Sequence, residues 1–426
     1  MKRFFLIFAG ILVALSANAQ LTLDECHKMA RANYPEIKQY DLVGQTRDFT
    51  IENIRKAYLP QVTVSAQATL QSAVPTYPDA LKNMMTAQGM SMTGMNKDQY
   101  KVQVEATQLI WDGGKSAASA KIAQTDAAAQ SLSADVDLYS VESRINELYF
   151  GILLLDGQMA QVGQTIDLLQ SNLDKVNSLI KNGAAMQSDA DAVEAELLTM
   201  KQKQIQLETS KSTYKQVLSL FVGKDVSSEN LIKPEDSEPS SFESLRPELS
   251  LLNARMDNLA AKKKSIQAST LPSFGLFAQG YYGYPGMDYF KSMMNSDWSL
   301  NGIIGVRMQW NLSAFYTKKT SISQIDAASQ MLQVQKDVFL FNNRLQSTQQ
   351  TQSISSLRKV LSEDDKIVDL RKRVREAAES KLRNGVIDSS DLLEKITAEN
   401  NAAISRSSRE IELLKAIYEL KHTVNQ

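Results

Sequence analysis

The chain has 426 residues, and 47 Lys and Arg against 48 Asp and Glu give a formal net charge of −1. This balance argues against nucleic acid as a partner. One cysteine and two histidines leave almost no material for a disulfide framework, a Cys-rich zinc site or histidine-based catalysis. We therefore expect neither an enzyme nor a bound cofactor. Residues 79–233 and 286–426 lack proline, which permits unusually long helices.

Residues 1–19 have the pattern of a secretory signal peptide. Lys2 and Arg3 precede an apolar run from Phe4 to Leu15, and small residues suited to cleavage follow. That run is too short to cross about 30 Å of hydrocarbon as a helix. The remaining chain has no run of 18 apolar residues, so a membrane location would require strands or an acyl group.

The mature chain contains two copies of one pattern. Three segments recur in the same order: 57–67 as 269–279, 108–117 as 307–316, and 181–190 as 383–392. A nearly constant offset between ordered matches indicates an internal duplication. We expect a first repeat at residues 20–232, a linker at 233–247 and a second repeat at 248–426.

Each copy carries two runs in which apolar and polar residues alternate. They cover 61–71 and 100–111, and in the second copy begin near 274 and 300. A half-buried soluble sheet alternates in the same way. The length of about eleven residues nevertheless matches tilted transmembrane strands. Aromatic residues mark the run ends, as is typical of membrane interfaces: Tyr100, Trp111, Trp298 and Trp310.

Four strands cannot close a barrel, and open strand edges have no hydrogen-bond partner in lipid. Several copies of the chain must therefore share one barrel. Twelve or more strands can leave a polar lumen, which suits the polar residues on one side of each run.

The remaining residues are predicted to be helical. Residues 115–181 would span about 100 Å as one helix. Shorter helical segments are predicted at 24–57 and 186–221, the latter with a seven-residue apolar repeat that requires a partner helix. Gly183 and Gly385 each follow an Asn and are interpreted as tight turns between antiparallel helices. The predicted fold class is mixed, combining a long helical coiled-coil part with four membrane strands per chain.

Five ordered segments resemble the TolC-like outer-membrane factor family. They are LTLDECHKMARANYPEIK, AYLPQVTVSAQ, QLIWDGGK, LIKNGAAMQSDADAVEAE and LRNGVIDSSDLLEKITAE. The resemblance covers essentially the whole mature chain. It implies a homotrimer with a twelve-stranded barrel in the outer membrane of a Gram-negative bacterium and a helical tunnel in the periplasm. It also implies an efflux or type I secretion channel that works with a periplasmic adaptor (membrane fusion protein) and an inner-membrane transporter.

The resemblance also assigns positions. The adaptor-docking tips correspond to Asn182, Gly183, Ala184, Asn384, Gly385 and Val386. The acidic periplasmic constriction corresponds to Asp391 and Glu394, with Asp189 as the weaker counterpart in the first hairpin. Favourable placement at a helix N-terminus is the alternative explanation for the two aspartates. Leu382 and Ile387 occupy the places where some members carry a locking Tyr and Arg.

Two further readings stay open from the residues. Five methionines in the longer first loop are weak candidates for a soft metal ion: Met84, Met85, Met90, Met92 and Met95. A mobile apolar loop is the plainer explanation. The rival to a channel is an exported periplasmic coiled-coil scaffold or adaptor without a pore.

Overall fold

A computed structural model describes residues 20–90, 94–183 and 185–426. The signal-peptide prediction falls on residues 1–19, outside this described part. In chain order the elements are β1 (Gln20–Leu21), α1 (Leu23–Asn33), a 3₁₀ turn (Pro35–Ile37), α2 (Lys38–Lys56), β2 (Gln61–Leu70), α3 (Asp79–Ala87), β3 (Asp98–Trp111), α4 (Lys115–Lys181), α5 (Gln187–Val222), β4 (Asn230–Leu231), α6 (Pro247–Ala268), β5 (Ser273–Tyr284), α7 (Tyr289–Met294), β6 (Ser299–Gln309), α8 (Ala314–Arg383) and α9 (Ser389–Val424).

The chain divides into two compact units. The helical unit contains the described residues up to Gln39, together with Ser133–Ser250 and Lys336–Gln426. The strand unit contains Tyr40–Leu132 and Leu251–Gln335. Each unit therefore draws on both halves of the sequence, and α4 and α8 contribute residues to both units. The mixed fold class predicted from the sequence is confirmed.

The strand unit is built on one antiparallel sheet with the order β2-β3-β5-β6. All four strands coincide with the four alternating runs within a few residues. The central pair has the longest register, from Tyr100 opposite Tyr284 to Trp111 opposite Phe274, with an irregularity between Leu109 and Trp111. Strands from the two halves of the chain are therefore neighbours in a single sheet.

The helical unit contains three apolar clusters and the short parallel pair β1-β4. The buried Tyr149 hydroxyl lies 2.8 Å from the Leu21 carbonyl and 2.6 Å from the Ile232 carbonyl, and so joins α4 to the carboxyl ends of both strands. Cys26 is fully buried in the first cluster, and burial raises the pKa of its thiol to about 12. The only cysteine of the chain is therefore an unreactive packing residue.

Two expectations need correction. The predicted helix at 24–57 is broken into α1, the 3₁₀ turn and α2, because Pro35 lacks an amide hydrogen and holds Tyr34 in an extended conformation with ψ of 129°. The stretch between β2 and β3 was expected to be a plain loop, but it contains α3. The 67-residue prediction for α4 is confirmed at both ends.

No helix in the described ranges combines the length and apolar character needed to cross a membrane.

Candidate functional site

The first tip turn joins α4 to α5. Gly183 adopts a left-handed φ of 72°, and its N–H donates to the Ile180 carbonyl at 2.9 Å. No heavy atom lies within 4 Å of the position that a Cβ on Gly183 would take. The backbone angle, and not crowding, therefore favours glycine there. Asn182 is exposed, whereas the predicted tip residue Ala184 lies outside the described residues.

The second tip turn joins α8 to α9 with the same geometry. Gly385 has a φ of 68° and equally open surroundings. The Asn384 side-chain Nδ2 donates to the Ser380 carbonyl at 2.8 Å and so satisfies one carbonyl of the last helical turn. Val386 is 68% exposed, although it is apolar. The structure therefore presents small, exposed residues at the ends of both hairpins.

Both tip turns rest on one apolar core of the helical unit. Its buried members come from α4, α5, α8 and α9: Leu169, Leu173, Val176, Ala190, Val193, Leu197, Met200, Ala378, Leu382, Leu392 and Ile396. Leu382 is buried in this core and Ile387 packs against it. The two positions that carry a polar lock in some TolC-like proteins thus make apolar packing contacts here.

The aspartates at the two tips have different contacts. Asp189 Oδ2 accepts a hydrogen bond from the Met186 N–H at 2.9 Å and caps the start of α5. In the second hairpin Asp388 has the capping role, since its Oδ1 accepts from the Asp391 N–H at 2.9 Å. The Asp391 carboxylate takes no part in that cap and is exposed. Helix capping therefore explains Asp189 but not Asp391.

Glu394 lies one turn further along α9 and is also exposed. Its Oε1 is 2.8 Å from Lys395 Nζ, and this contact lowers the pKa of Glu394. Asp391 and Glu394 are three residues apart on α9, so their side chains lie on the same side of that helix. Of the three predicted constriction residues, Asp391 and Glu394 are therefore exposed carboxylates, whereas Asp189 is engaged in a cap.

The sheet of the strand unit has two faces of opposite character. On one face apolar side chains are widely exposed in the single chain: Val62, Val64, Leu70, Val102, Val104, Leu276, Leu300, Ile304, Val306 and Met308. The other face carries Gln, Thr, Ser, Lys and Glu side chains at the intervening positions. An exposed apolar face of this extent in a strand-built surface is typical of contact with lipid.

The predicted interfacial aromatics lie at the two ends of this sheet. Tyr100 stacks on Trp298 at 6.5 Å between ring centroids, next to the first residues of β3 and β6. Trp111 packs on Phe274 at 5.9 Å at the last residue of β3. Trp310 follows β6 and donates from Nε1 to the Thr270 carbonyl at 3.0 Å. Because β3 and β6 run in the same direction, the four aromatics form one pair at each end of the sheet.

The polar face also carries charged and aromatic side chains in contact. The Arg307 guanidinium lies 4.7 Å from the Phe277 ring centroid, and its Nη2 is 3.2 Å from Glu105 Oε1. Lys101 Nζ lies 5.9 Å from the Tyr281 ring centroid. These distances are within the range of cation–π contacts.

A family model and three solved structures place this fold. The model of the outer membrane efflux protein family matches residues 27–224. The match covers somewhat less than half of the chain, and over these residues the chain is similar to that family. The members of that family are outer membrane efflux proteins.

Solved structures extend the fold beyond the matched residues. Outer membrane protein VceC from Vibrio cholerae is 15% identical, with a TM-score of 0.66 over 94% of this chain and 95% of that chain. The Campylobacter jejuni outer membrane channel CmeC is 14% identical, with a TM-score of 0.65 over 94% and 85%. The Neisseria gonorrhoeae outer membrane channel MtrE is 15% identical, with a TM-score of 0.61 over 94% and 88%. At these identities the similarity concerns the fold. No curated protein matches the sequence significantly.

The methionines predicted as weak metal candidates lie in different surroundings. Met95 is buried in a small cluster with Tyr77 and Met293, so its thioether is a packing group. Met84 and Met90 are 55% and 49% exposed, Met85 is half-buried, and Met92 lies outside the described residues. In the described part of the chain, no group of three or more His, Cys, Asp or Glu residues could hold a metal ion.

Sequence reasoning recognised Lys101, Glu105 and Arg307 only as members of a polar face. It did not connect these three residues with Phe277 or Tyr281. The missing information is the strand register, which sets Thr107 opposite Phe277 and Gly275 opposite Arg307. An aromatic residue at an odd position of β5, in phase with Gln279, was the available signal.

Proposed function

We propose that this protein is the outer-membrane channel of a tripartite efflux or type I secretion system, works as a homotrimer and has no enzymatic activity. The observation that carries the proposal is the sheet of the strand unit. It combines an exposed apolar face with a polar face, and among the described residues the outer edges of β2 and β6 pair with no further strand.

Open edges require neighbours in lipid. An unpaired backbone N–H or carbonyl inside hydrocarbon costs about several kcal/mol, because it has neither water nor protein as a hydrogen-bond partner. The edges β2 and β6 run in opposite directions because each adjacent strand pair is antiparallel. β6 of one copy can therefore join β2 of the next copy in the same antiparallel pattern. Three copies give twelve strands, enough for a polar lumen lined by the polar face.

The helical unit supplies a second surface that fits another copy of the chain. α8 exposes apolar side chains at helical spacing, with Val338, Phe341 and Leu345 each at least half exposed. Ile367, Leu370 and Val374 continue the pattern with exposures of 45%, 53% and 47%. Spacings of three and four residues form the seam of a coiled coil. We assign this α8 seam to the contact between subunits.

The tips and the exposed carboxylates complete the proposal. Asn182, Gly183, Asn384, Gly385 and Val386 would meet a periplasmic adaptor, which in turn would connect the channel to an inner-membrane transporter. Ala184 belongs to the same proposed surface. Asp391 and Glu394, repeated in three copies, would form an acidic constriction that attracts cations.

The decisive experiment measures the mass of the detergent-purified mature protein and its planar-bilayer conductance in one preparation. The expected result is a trimer with discrete conductance steps. A monomer that stays soluble without detergent and does not conduct would contradict the channel and favour the periplasmic scaffold. Bilayers without protein, and protein heated before reconstitution, provide the baseline.

The tips can be tested separately through their glycines. Asn tolerates the left-handed conformation, so Gly183→Asn and Gly385→Asn add bulk with little backbone strain. Gly163→Asn is the matched control, since Gly163 on α4 also has open surroundings but no positive φ. We expect both tip variants to abolish efflux or secretion in cells lacking the wild-type copy while trimers still assemble. Loss of the trimer would show instead that the glycines serve folding.

A further inference from the structure

We propose that the polar face of the strand unit contains a binding site for small aromatic anions, formed by the Arg307 guanidinium and the Phe277 ring. The proposal rests on the function proposed above, because it requires that this face lines the channel lumen. It adds a class of ligand that the acidic residues near the tips would not attract.

The strand register creates a hollow at this point of the sheet. Gly275 lies opposite Arg307 and Gly305 lies opposite Phe277, so neither long side chain has a side-chain neighbour directly across β5 and β6. A Cβ on Gly305 would come within 2.9 Å of the Phe277 ring, which shows that the ring lies over this glycine. Glycine at position 305 therefore leaves the space that the Phe277 ring occupies.

A cavity of about 200 Å³ adjoins this ring. Its lining residues on the polar face include Thr107, Leu109, Ser273, Phe277, Arg307 and Gln309. A dry cavity of roughly 150 Å³ is enough to hold benzene. The volume therefore suits one six-membered ring with a small charged substituent.

The guanidinium retains capacity for a ligand. One contact, Nη2 to Glu105 Oε1 at 3.2 Å, uses one of its five N–H donors, and the Arg307 side chain is 53% exposed. An exposed ion pair of this kind adds little to stability, so folding alone gives little reason for the arrangement. Planar guanidinium groups bind carboxylates and sulfonates through paired hydrogen bonds and stack on aromatic faces.

The surrounding charge favours an anion. Between the ends of the four strands, the polar face carries two cations, Lys101 and Arg307, and one anion, Glu105. Each chain therefore contributes one net positive charge to this face, and a trimer would contribute three. Lys101 lies over Tyr281, which provides a second, weaker combination of cation and ring.

The test uses block of the conducting trimer by three probes. Benzenesulfonate carries the ring and the anion, methanesulfonate only the anion, and benzylammonium the ring with the opposite charge. We expect benzenesulfonate to block at the lowest concentration. Arg307→Gln should raise its half-blocking concentration about tenfold, because a hydrogen-bonded charge partner is lost. Arg307→Lys should restore only part of the effect, since it keeps the charge without the planar fork.

Two further variants separate recognition from folding. Glu105→Gln releases the guanidinium and should lower the half-blocking concentration, opposite to the effect of Arg307→Gln. Phe277→Leu should weaken block by benzenesulfonate and leave block by methanesulfonate unchanged. Equal block of wild type and Arg307→Gln, or equal block by the three probes, would overturn the proposal.

Saturation-transfer NMR of benzenesulfonate with the detergent-purified full chain gives an independent readout. A protein that forms no conducting trimer but binds benzenesulfonate through Arg307 would refute the proposed channel and leave the site in place. A conducting trimer whose benzenesulfonate signal is unaffected by Arg307→Gln would refute the site and leave the channel.

Discussion

The two helical hairpins of the helical unit have the same element order but are held together by different kinds of contact. In the first, α4 and α5 contribute large buried apolar side chains, among them Ile145, Tyr149, Phe150 and Leu218. In the second, α8 buries few apolar residues, and Asn343, Ser347 and Asp364 are among its buried positions. Duplication of a sequence thus preserved a topology while the forces that hold each copy together diverged.

Charged contacts add to a smaller apolar cluster between α8 and α9, in which Ile354 packs with Leu413, Ile417 and Leu420. Three ion pairs join α8 to α9 in the described part of the chain: Arg375 to Glu399 at 2.5 Å, Arg406 to Asp365 at 2.9 Å, and Arg409 to Asp364 at 2.5 Å. Within the described residues, α4 and α5 are joined by a single ion pair, Lys211 to Asp156. Directional pairs hold a defined register but can be exchanged for other partners, whereas a packed core resists displacement.

This difference predicts which hairpin is the rigid one. Movement of α8 against α9 costs exchange of ion pairs and separation of that smaller cluster, whereas movement of α4 against α5 would open a larger apolar core. We infer that any opening of the tip begins in α8 and α9. Asp391 and Glu394, the proposed constriction residues, belong to that hairpin.

The largest expected effect on stability comes from truncating a buried aromatic side chain in the apolar core of the first hairpin. Phe150 is 1% exposed and its ring contacts Tyr149 and Tyr418 at centroid distances of 6.1 and 5.5 Å. Phe150→Ala should lower the free energy of unfolding by about 3–5 kcal/mol through lost burial and a residual cavity. Thermal unfolding followed by circular dichroism in detergent measures the change. Gln206→Ala, an exposed site on α5, is the control and should change it little.

A smaller decrease in the free energy of unfolding is expected when the second hairpin loses the ion pair between Arg375 and Glu399. The Arg375 side chain is 12% exposed and lies between Glu399 and Glu379, at 2.5 and 2.8 Å. Arg375→Met leaves two carboxylates facing each other and should cost about 1.5–3 kcal/mol. Adding Glu399→Leu should recover part of the loss, since an apolar pair can substitute for an ion pair.

Hydrogen exchange identifies the region that Arg375→Met destabilises. Amides of α8 and α9 near Arg375 should exchange faster in Arg375→Met, while those around Phe150 should keep their protection. Uniformly faster exchange in both hairpins would show that they unfold as one unit and would remove the contrast between them.

The sequence predicted the features that neighbouring residues encode, and it missed those that depend on contacts between residues far apart in the chain. Alternation between neighbours located β2, β3, β5 and β6, and the absence of proline located α4, because both signals are local. Pro35 is also a local signal for a helix break, but the apolar pattern on both sides of it favoured the prediction of one continuous helix. The partnership of Arg375 with Glu399 and the contact of Arg307 with Phe277 depend on packing and strand register, which no local pattern encodes.

The tip aspartates offer a finer test of the contrast. Asp189→Ala removes a capping contact and should cost about 1 kcal/mol of stability without altering ion flow. Asp391→Ala combined with Glu394→Ala should change the stability little, because both side chains are exposed. The double variant should instead raise single-channel conductance and reduce block by divalent cations. Unchanged conductance and block would remove both residues from the gate.

The smallest expected effect concerns pH where the two hairpins meet. His422 of α9 stacks on Tyr139 of α4 at 4.1 Å between centroids, and its Nε2 is 3.1 Å from the Tyr139 carbonyl. Burial lowers the pKa of His422 below its ordinary 6.5, so the folded protein disfavours the charged imidazole. Its contribution to stability is therefore present above pH 6.5 and is lost as the pH falls through the folded pKa.

Glu142 of α4 acts in the opposite direction. Burial raises the pKa of Glu142 above its ordinary 4.5, so its contribution is present below pH 4.5 and is lost as the pH rises through the folded pKa. Between pH 8 and 5.5, acidification should destabilise the wild type through His422 while Glu142 offsets part of the loss. In thermal unfolding over this range, His422→Phe should abolish the destabilisation and Glu142→Gln should enlarge it. If His422→Phe loses stability on acidification as the wild type does, the pH response arises outside the contact between α4 and α9.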